Sequence, residues 1–280
     1  MLKNLAIVFL LFFTSLIDDT EAATVDTIRT YSVAMKKEIR VVVIKPDNRS
    51  SKSTFPVVYL LHGHGGDYSN WIKQVPELEA YADLYQILIV CPDGGTSSWY
   101  FDSLEDPTSK YETFVAGELI KFIDKQYATI KGPKGRAITG LSMGGHGALY
   151  LAFKHSNVFG AAGSMSGGLD LRPFPNNWSI ASHLGTYSAH PDRWDNNSVT
   201  NLTHLLTPKS LKLLIDCGTQ DFFYAVNTAF HQKLIDRNIP HDFISRPGAH
   251  NWDYWRNAVE YQLLFMSKFF NSSQINKTSN

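Results

Sequence analysis

Residues 136–155 read Arg136-Ala-Ile-Thr-Gly-Leu-Ser-Met-Gly-Gly-His-Gly-Ala-Leu-Tyr-Leu-Ala-Phe-Lys-His155, and the central Gly140-Leu141-Ser142-Met143-Gly144 is the strongest pointer to the architecture. A serine with a glycine two positions to either side marks a strand turning abruptly into a helix. The apex residue takes a strained backbone conformation, and a Cβ at either glycine would strike the adjoining strand or helix. The flanks agree: residues 136–139 suit a short buried strand, and residues 145–155 form an apolar run of helix formers. Ser142 is thereby a candidate nucleophile at the tip of a sheet.

A serine hydroxyl is nearly inert at neutral pH, so Ser142 needs a histidine base and a carboxylate to orient it, both later in the chain for an α/β-hydrolase. Residues 212–217 (KLLIDC) read as a buried strand, and Gly218-Thr-Gln-Asp221 follows as the loop from which an acid would project. Asp221 is the candidate acid. Asp216 is its rival, but it lies within the strand, where a partnered structural carboxylate is the simpler reading. Residues 241–245 read as another strand, and Arg246-Pro-Gly-Ala-His250 leads into a helix, which makes His250 the candidate base. His155, His183, His190, His204 and His231 have no motif around them, and His146 lies in the helix after the elbow. The order Ser142, Asp221, His250 is that of the hydrolase fold and not that of the serine proteases.

A tetrahedral intermediate needs two backbone donors for its oxyanion. Met143 N–H, directly after the nucleophile, suits one. The β-rich run at residues 55–61 ends in His62-Gly63-His64-Gly65-Gly66, which places the second donor at His64 N–H, with Gly65 as its alternative. His62 and His64 are not read as metal ligands, because no acidic or cysteine ligand set accompanies them. Acyl transfer by these groups requires neither metal nor cofactor.

The segments LLHGHGGDYSNW, CPDGG with SSWYFDS, GLSMGGHGA, DCGTQDFF and RPGAHNWDYW occur in this order from about residue 55 to the C-terminal helix. Together they resemble the esterase D branch of the α/β-hydrolases, which includes carbohydrate esterase family 1. The chain looks most similar there to secreted feruloyl and acetyl-xylan esterases. The resemblance implies Ser142, Asp221 and His250 as triad and His64 with Met143 as oxyanion hole.

Composition agrees: 280 residues, 44% hydrophobic and 13% aromatic, suit a single α/β domain with a mostly parallel sheet flanked by helices. Residues 1–22 read as a secretory signal peptide, with Lys3, an apolar run from Leu5 to Ile17 and a small-residue site at Ala22-Ala23. The run is short for a membrane span. The mature domain is then 23–280, secreted or periplasmic, with no membrane span after cleavage. Net charge is zero, and cleavage would leave a small positive balance, so nothing favours nucleic acid as a partner. Cys91 and Cys217 fall at the ends of strands that are not neighbours in the usual order, and free buried thiols are expected. Asn177, Asn201 and Asn271 begin Asn-x-Ser/Thr acceptor sites.

An edge hairpin is expected from residues 27–34 and 38–45, and strands from 86–91 and 160–166. Helices are expected over 111–127, with Phe114, Leu119, Phe122 and Ile123 as the inward stripe, and over 221–239 and 252–270. Substrate choice falls to loops above the sheet. Trp99, in the loop after the fourth strand, is the expected substrate contact. A substrate-side insertion at 167–208 adds Phe174, Trp178, Tyr187 and Trp194. Aromatic faces stack on sugar rings or a cinnamoyl group, so the expected partner is an ester substrate linked to plant polysaccharide. The alternatives are an extracellular acyltransferase of mycolyltransferase type and, from another class, an inactive carbohydrate-binding module.

Overall fold

The computed structural model describes residues 22–47, 54–207 and 210–278. The expected signal peptide lies, up to residue 21, outside the described residues. Eight strands form one sheet: β1 (Thr24–Ser32), β2 (Lys37–Lys45), β3 (Val57–Leu61), β4 (Leu88–Pro92), β5 (Arg136–Gly140), β6 (Ala161–Met165), β7 (Lys212–Gly218) and β8 (Asp242–Arg246). Their order is β1-β2-β4-β3-β5-β6-β7-β8, with β2 antiparallel to β1 and β4 and every later pair parallel. Parallel strands with both faces covered need apolar residues in succession, as in the wholly buried VVYLL of β3.

The helices that shape the site are α1 (Leu78–Tyr85), α2 (Leu119–Gln126), α3 (Met143–Lys154), α4 (Tyr224–Asp236) and α5 (Trp252–Thr278). Alternation along β3 divides the core. Val57, Tyr59 and Leu61 pack with Leu119 of α2, Leu149 of α3 and Phe230 of α4, whereas Val58 and Leu60 pack with Leu78 of α1 and Leu263 of α5. A sheet covered on both faces leaves the carboxyl ends of its strands as the open edge where a site can form.

The expected elements need three corrections. β1 begins at Thr24 and ends at Ser32, so Val33 and Ala34 belong to the turn. The helix expected over 111–127 is broken into a turn at Tyr111–Thr113, a π-helical segment at Phe114–Glu118 and α2. Phe114, Leu119 and Ile123 are fully buried there, but Phe122 is only half-buried. The Glu118 carboxylate closes that segment onto the hairpin turn, accepting from Ser32 Oγ at 2.5 Å and Ala34 N–H at 2.9 Å. Third, α4 starts at Tyr224 and not at Asp221, which leaves Asp221 in the preceding loop.

Cys91 and Cys217 are free and buried. They lie on β4 and β7 with three strands between them, and at about 4.8 Å per strand the thiols are far beyond bonding distance. Among the described residues, no helix is long and apolar enough to cross a membrane.

Candidate active site

Ser142 sits between β5 and α3 with φ +55° and ψ −117°, a left-handed conformation that non-glycine residues seldom adopt. Its N–H donates to Met165 O at 2.8 Å, which fixes the apex against β6. The glycines answer to close packing: a Cβ on Gly140 would lie 2.6 Å from the Gly144 backbone, and one on Gly144 would lie 2.5 Å from His62 O. Both obstacles are backbone and have little room to yield. Gly144→Ala is therefore expected to lower stability by about 2–3 kcal/mol, read by chemical denaturation. An unchanged midpoint would refute this account of the elbow.

The carboxyl ends of β7 and β8 supply the remaining groups. His250 Nε2 lies 2.9 Å from Ser142 Oγ, and His250 Nδ1 lies 2.8 Å from Asp221 Oδ2. A carboxylate only accepts, so Nδ1 carries the proton and Nε2 is left to receive the serine hydroxyl. The Asp221 side chain is fully buried, and its Oδ1 accepts from Phe223 N–H at 2.8 Å. Thus the structure brings Ser142, Asp221 and His250 together from three loops.

Asp216 is elsewhere. It is fully buried within β7, where its Oδ1 accepts from Tyr254 Oη and its Oδ2 faces Arg246 Nη2 at 3.1 Å. Burial pushes its carboxyl above the usual range, opposed by the Tyr254 hydroxyl and the Arg246 guanidinium.

At the oxyanion position, Gly65 N–H is committed to Thr96 O at 2.8 Å, which removes the alternative to His64. Among the described residues, neither His64 N–H nor Met143 N–H donates to a backbone carbonyl. His62 secures the loop that carries His64: its Nδ1 lies 2.8 Å from Gly63 O, and its Nε2 accepts from Gly94 N–H at 2.7 Å. Since Gly94 N–H can only donate, the His62 ring is the neutral Nδ1–H tautomer, and burial holds its pKa below the ordinary histidine value. Neither ring nitrogen is left for a metal. His146 is buried among Trp99, Phe101 and Tyr150, with Nε2 2.8 Å from Asn197 O, and burial lowers its pKa to about 4. It is a neutral packing residue.

Above the triad lies a cleft of about 310 Å³, bordered by His64, Asn70, Ser142, Trp178, Phe222 and His250, with Trp252 and Trp255 on its wall. Trp178 stacks on Phe222 with centroids 5.5 Å apart and planes within 18°. Phe222 is 52% exposed, and its centroid lies 4.2 Å from that of the His250 ring, while the Trp255 ring stands perpendicular to the same imidazole with centroids 4.8 Å apart.

Trp99, the expected substrate contact, is not on this wall. It is 1% exposed, packs against His146 and Trp178, and donates from Nε1 to Trp178 O at 3.1 Å. Positive φ at Trp99 and Tyr100 turns its ring inward, where it supports Trp178 and does not face the cleft. Of the aromatics at residues 167–208, Trp178 reaches the cleft and Phe174 packs behind it, whereas Trp194 is fully buried beside Tyr187. Sequence reasoning passed over Phe222, Trp252, Trp255 and Asn70. The aromatic three carried a usable signal, since each lies within five residues of Asp221 or His250.

A buried strand-to-helix serine hydrogen-bonded to a histidine–aspartate pair, above a mostly parallel sheet, defines an α/β-hydrolase. Residues 32–266 match the family model described as "Putative esterase", and the chain belongs to that family. Esterase Rv1288 of Mycobacterium tuberculosis is 29% identical over 235 residues, covering 75% of this chain; the chain spans about half, 51%, of that relative's length. An acetyl esterase of Caldicellulosiruptor saccharolyticus is 27% identical over 265 residues, 86% of this chain and 97% of the relative. A solved ferulic acid esterase is similar at TM-score 0.75 and 28% identity, over 89% of this chain and 99% of its own.

Proposed function

We propose that this protein is a secreted serine carboxylic ester hydrolase acting on feruloyl or acetyl esters of plant polysaccharide. The observation that carries the reading is the unbroken hydrogen-bonded chain from Ser142 through His250 to Asp221, opening into an aromatic cleft. Ser142 Oγ attacks the ester carbonyl as its proton passes to His250 Nε2, and Asp221 holds the imidazole and stabilises its cation. The oxyanion is received by His64 N–H and Met143 N–H. His250 returns the proton to the leaving alcohol, and water repeats the sequence on the acyl-enzyme.

The parallel pair of Trp178 and Phe222 suits a planar acyl group or a sugar ring. Similarity to a ferulic acid esterase and to an acetyl esterase supports the same two acyl classes. Export rests on the leader-like residues 1–22 and is tested by the N-terminus of the mature chain.

The test is initial rates on methyl ferulate and an aryl acetate, with Ser142→Ala as control. A Ser142-dependent preference for ferulate assigns the aromatic acyl pocket, and activity confined to acetate assigns a deacetylase. New ester formed when a sugar acceptor is added would identify a transferase, and silence on every ester would leave the binding-module reading. Within the ferulate reading, Trp178→Ala is expected to raise KM for methyl ferulate about tenfold while leaving the aryl acetate within twofold. An equal effect on both substrates would remove Trp178 from acyl recognition.

A further inference from the structure

Arg246 and Tyr254 stand four residues before and four after His250. Arg246 ends β8, Tyr254 lies in the first turn of α5, and both side chains converge on Asp216 of the neighbouring strand β7. The Arg246 guanidinium also lies over the rings of Tyr254 and Tyr261, at 4.8 and 4.6 Å. One buried carboxylate therefore ties down both ends of the loop that carries the imidazole.

The span between these ends is held to the loop that carries Asp221. Thr219 N–H donates to Arg246 O at 3.0 Å, and Gln220 N–H donates to Gly248 O at 2.9 Å. Gly248, with φ +150°, lets the Tyr254 ring close over the loop: a Cβ there would lie 2.1 Å from that ring. A buried ion pair often adds little net stability over an apolar replacement of similar volume, whereas removing one partner leaves the other buried charge uncompensated, so displacing Arg246 from Asp216 is costly.

We infer that Asp216 is a positioning residue, whose grip on Arg246 and Tyr254 sets the His250 loop so that Nε2 meets Ser142 Oγ. The inference rests on the reading of His250 as the base. It gives Asp216 a role that acts through its two partners and needs no contact with substrate.

Tyr254→Phe removes one arm of the clamp and keeps the ring. It is expected to lower kcat about ten- to a hundredfold with KM within twofold, since a small displacement of a reacting group is costly. Phosphonylation of Ser142 by a fluorophosphonate should slow in parallel, and the downfield proton resonance of the His250 Nδ1–H should shift. Arg246→Lys reads the other arm independently if Tyr254→Phe does not fold. Asp216→Asn, which still accepts from Tyr254, should retain more activity than Asp216→Ala. The inference is overturned if both arm variants lower the melting temperature yet keep wild-type kcat and labelling rate per folded molecule. Full hydrolysis by Ser142→Ala would instead overturn the reading of the site, and the clamp with it.

Discussion

Ser142→Ala is expected to lower kcat about a million-fold while the protein keeps its fold and its affinity for substrate. The expectation follows from the inventory of the cleft: among the described residues that line it, only Ser142 carries a hydroxyl, and none offers a thiol, lysine or carboxylate to replace it. The variant loses one oxygen at a position already 9% exposed, and Ser142 N–H still donates to Met165 O, so the elbow survives. Release from the strained φ of +55° gives no gain, because alanine is strained there too. Hydrolysis of an activated aryl ester and mass-detected fluorophosphonate labelling should vanish together. More than about 1% residual kcat in protein free of wild-type enzyme would show that another group attacks, since about 10³–10⁴-fold catalysis over water is all that the remaining site supplies.

Asp221→Asn is the second large effect, expected at about 10⁴-fold in kcat. The loss is one of tautomer. An asparagine amide oriented to donate to His250 Nδ1 would place the imidazole proton on Nε2, where it meets the Ser142 hydroxyl instead of receiving its proton. The backbone is under no pressure to change, because the amide oxygen can still accept from Phe223 N–H. Asp216→Asn must cost far less, as its carboxylate meets Tyr254 and Arg246 and neither reacting group. Measured kcat values for the two folded variants decide the matter, and a larger loss at Asp216 would exchange the roles assigned to the two aspartates.

Ser142, Asp221 and Asp216 are all readable in the chain itself, and the reason lies in how local their requirements are. A strained apex between two glycines can be recognised within five residues, and an acid or base after a buried strand within ten. Trp99 failed for the opposite reason. Its position after the fourth strand is correct, but the direction of its ring depends on two consecutive left-handed residues and on the distant carbonyl of Trp178. Likewise, an apolar run of helical period at 111–127 concealed a π-helical segment that closes against the hairpin turn through Glu118.

The α/β-hydrolase class, the order of the triad candidates and the candidate oxyanion loop are legible in the chain alone, since each follows from backbone sterics and chain order over short windows. Folding in three dimensions sets which aromatics wall the cleft, spends Gly65 N–H on Thr96 and brings Asp216 against both flanks of the His250 loop. Those facts arise where residues tens of positions apart meet at the carboxyl edge of the sheet. A side chain's direction there is set by partners that its own neighbours in sequence do not reveal.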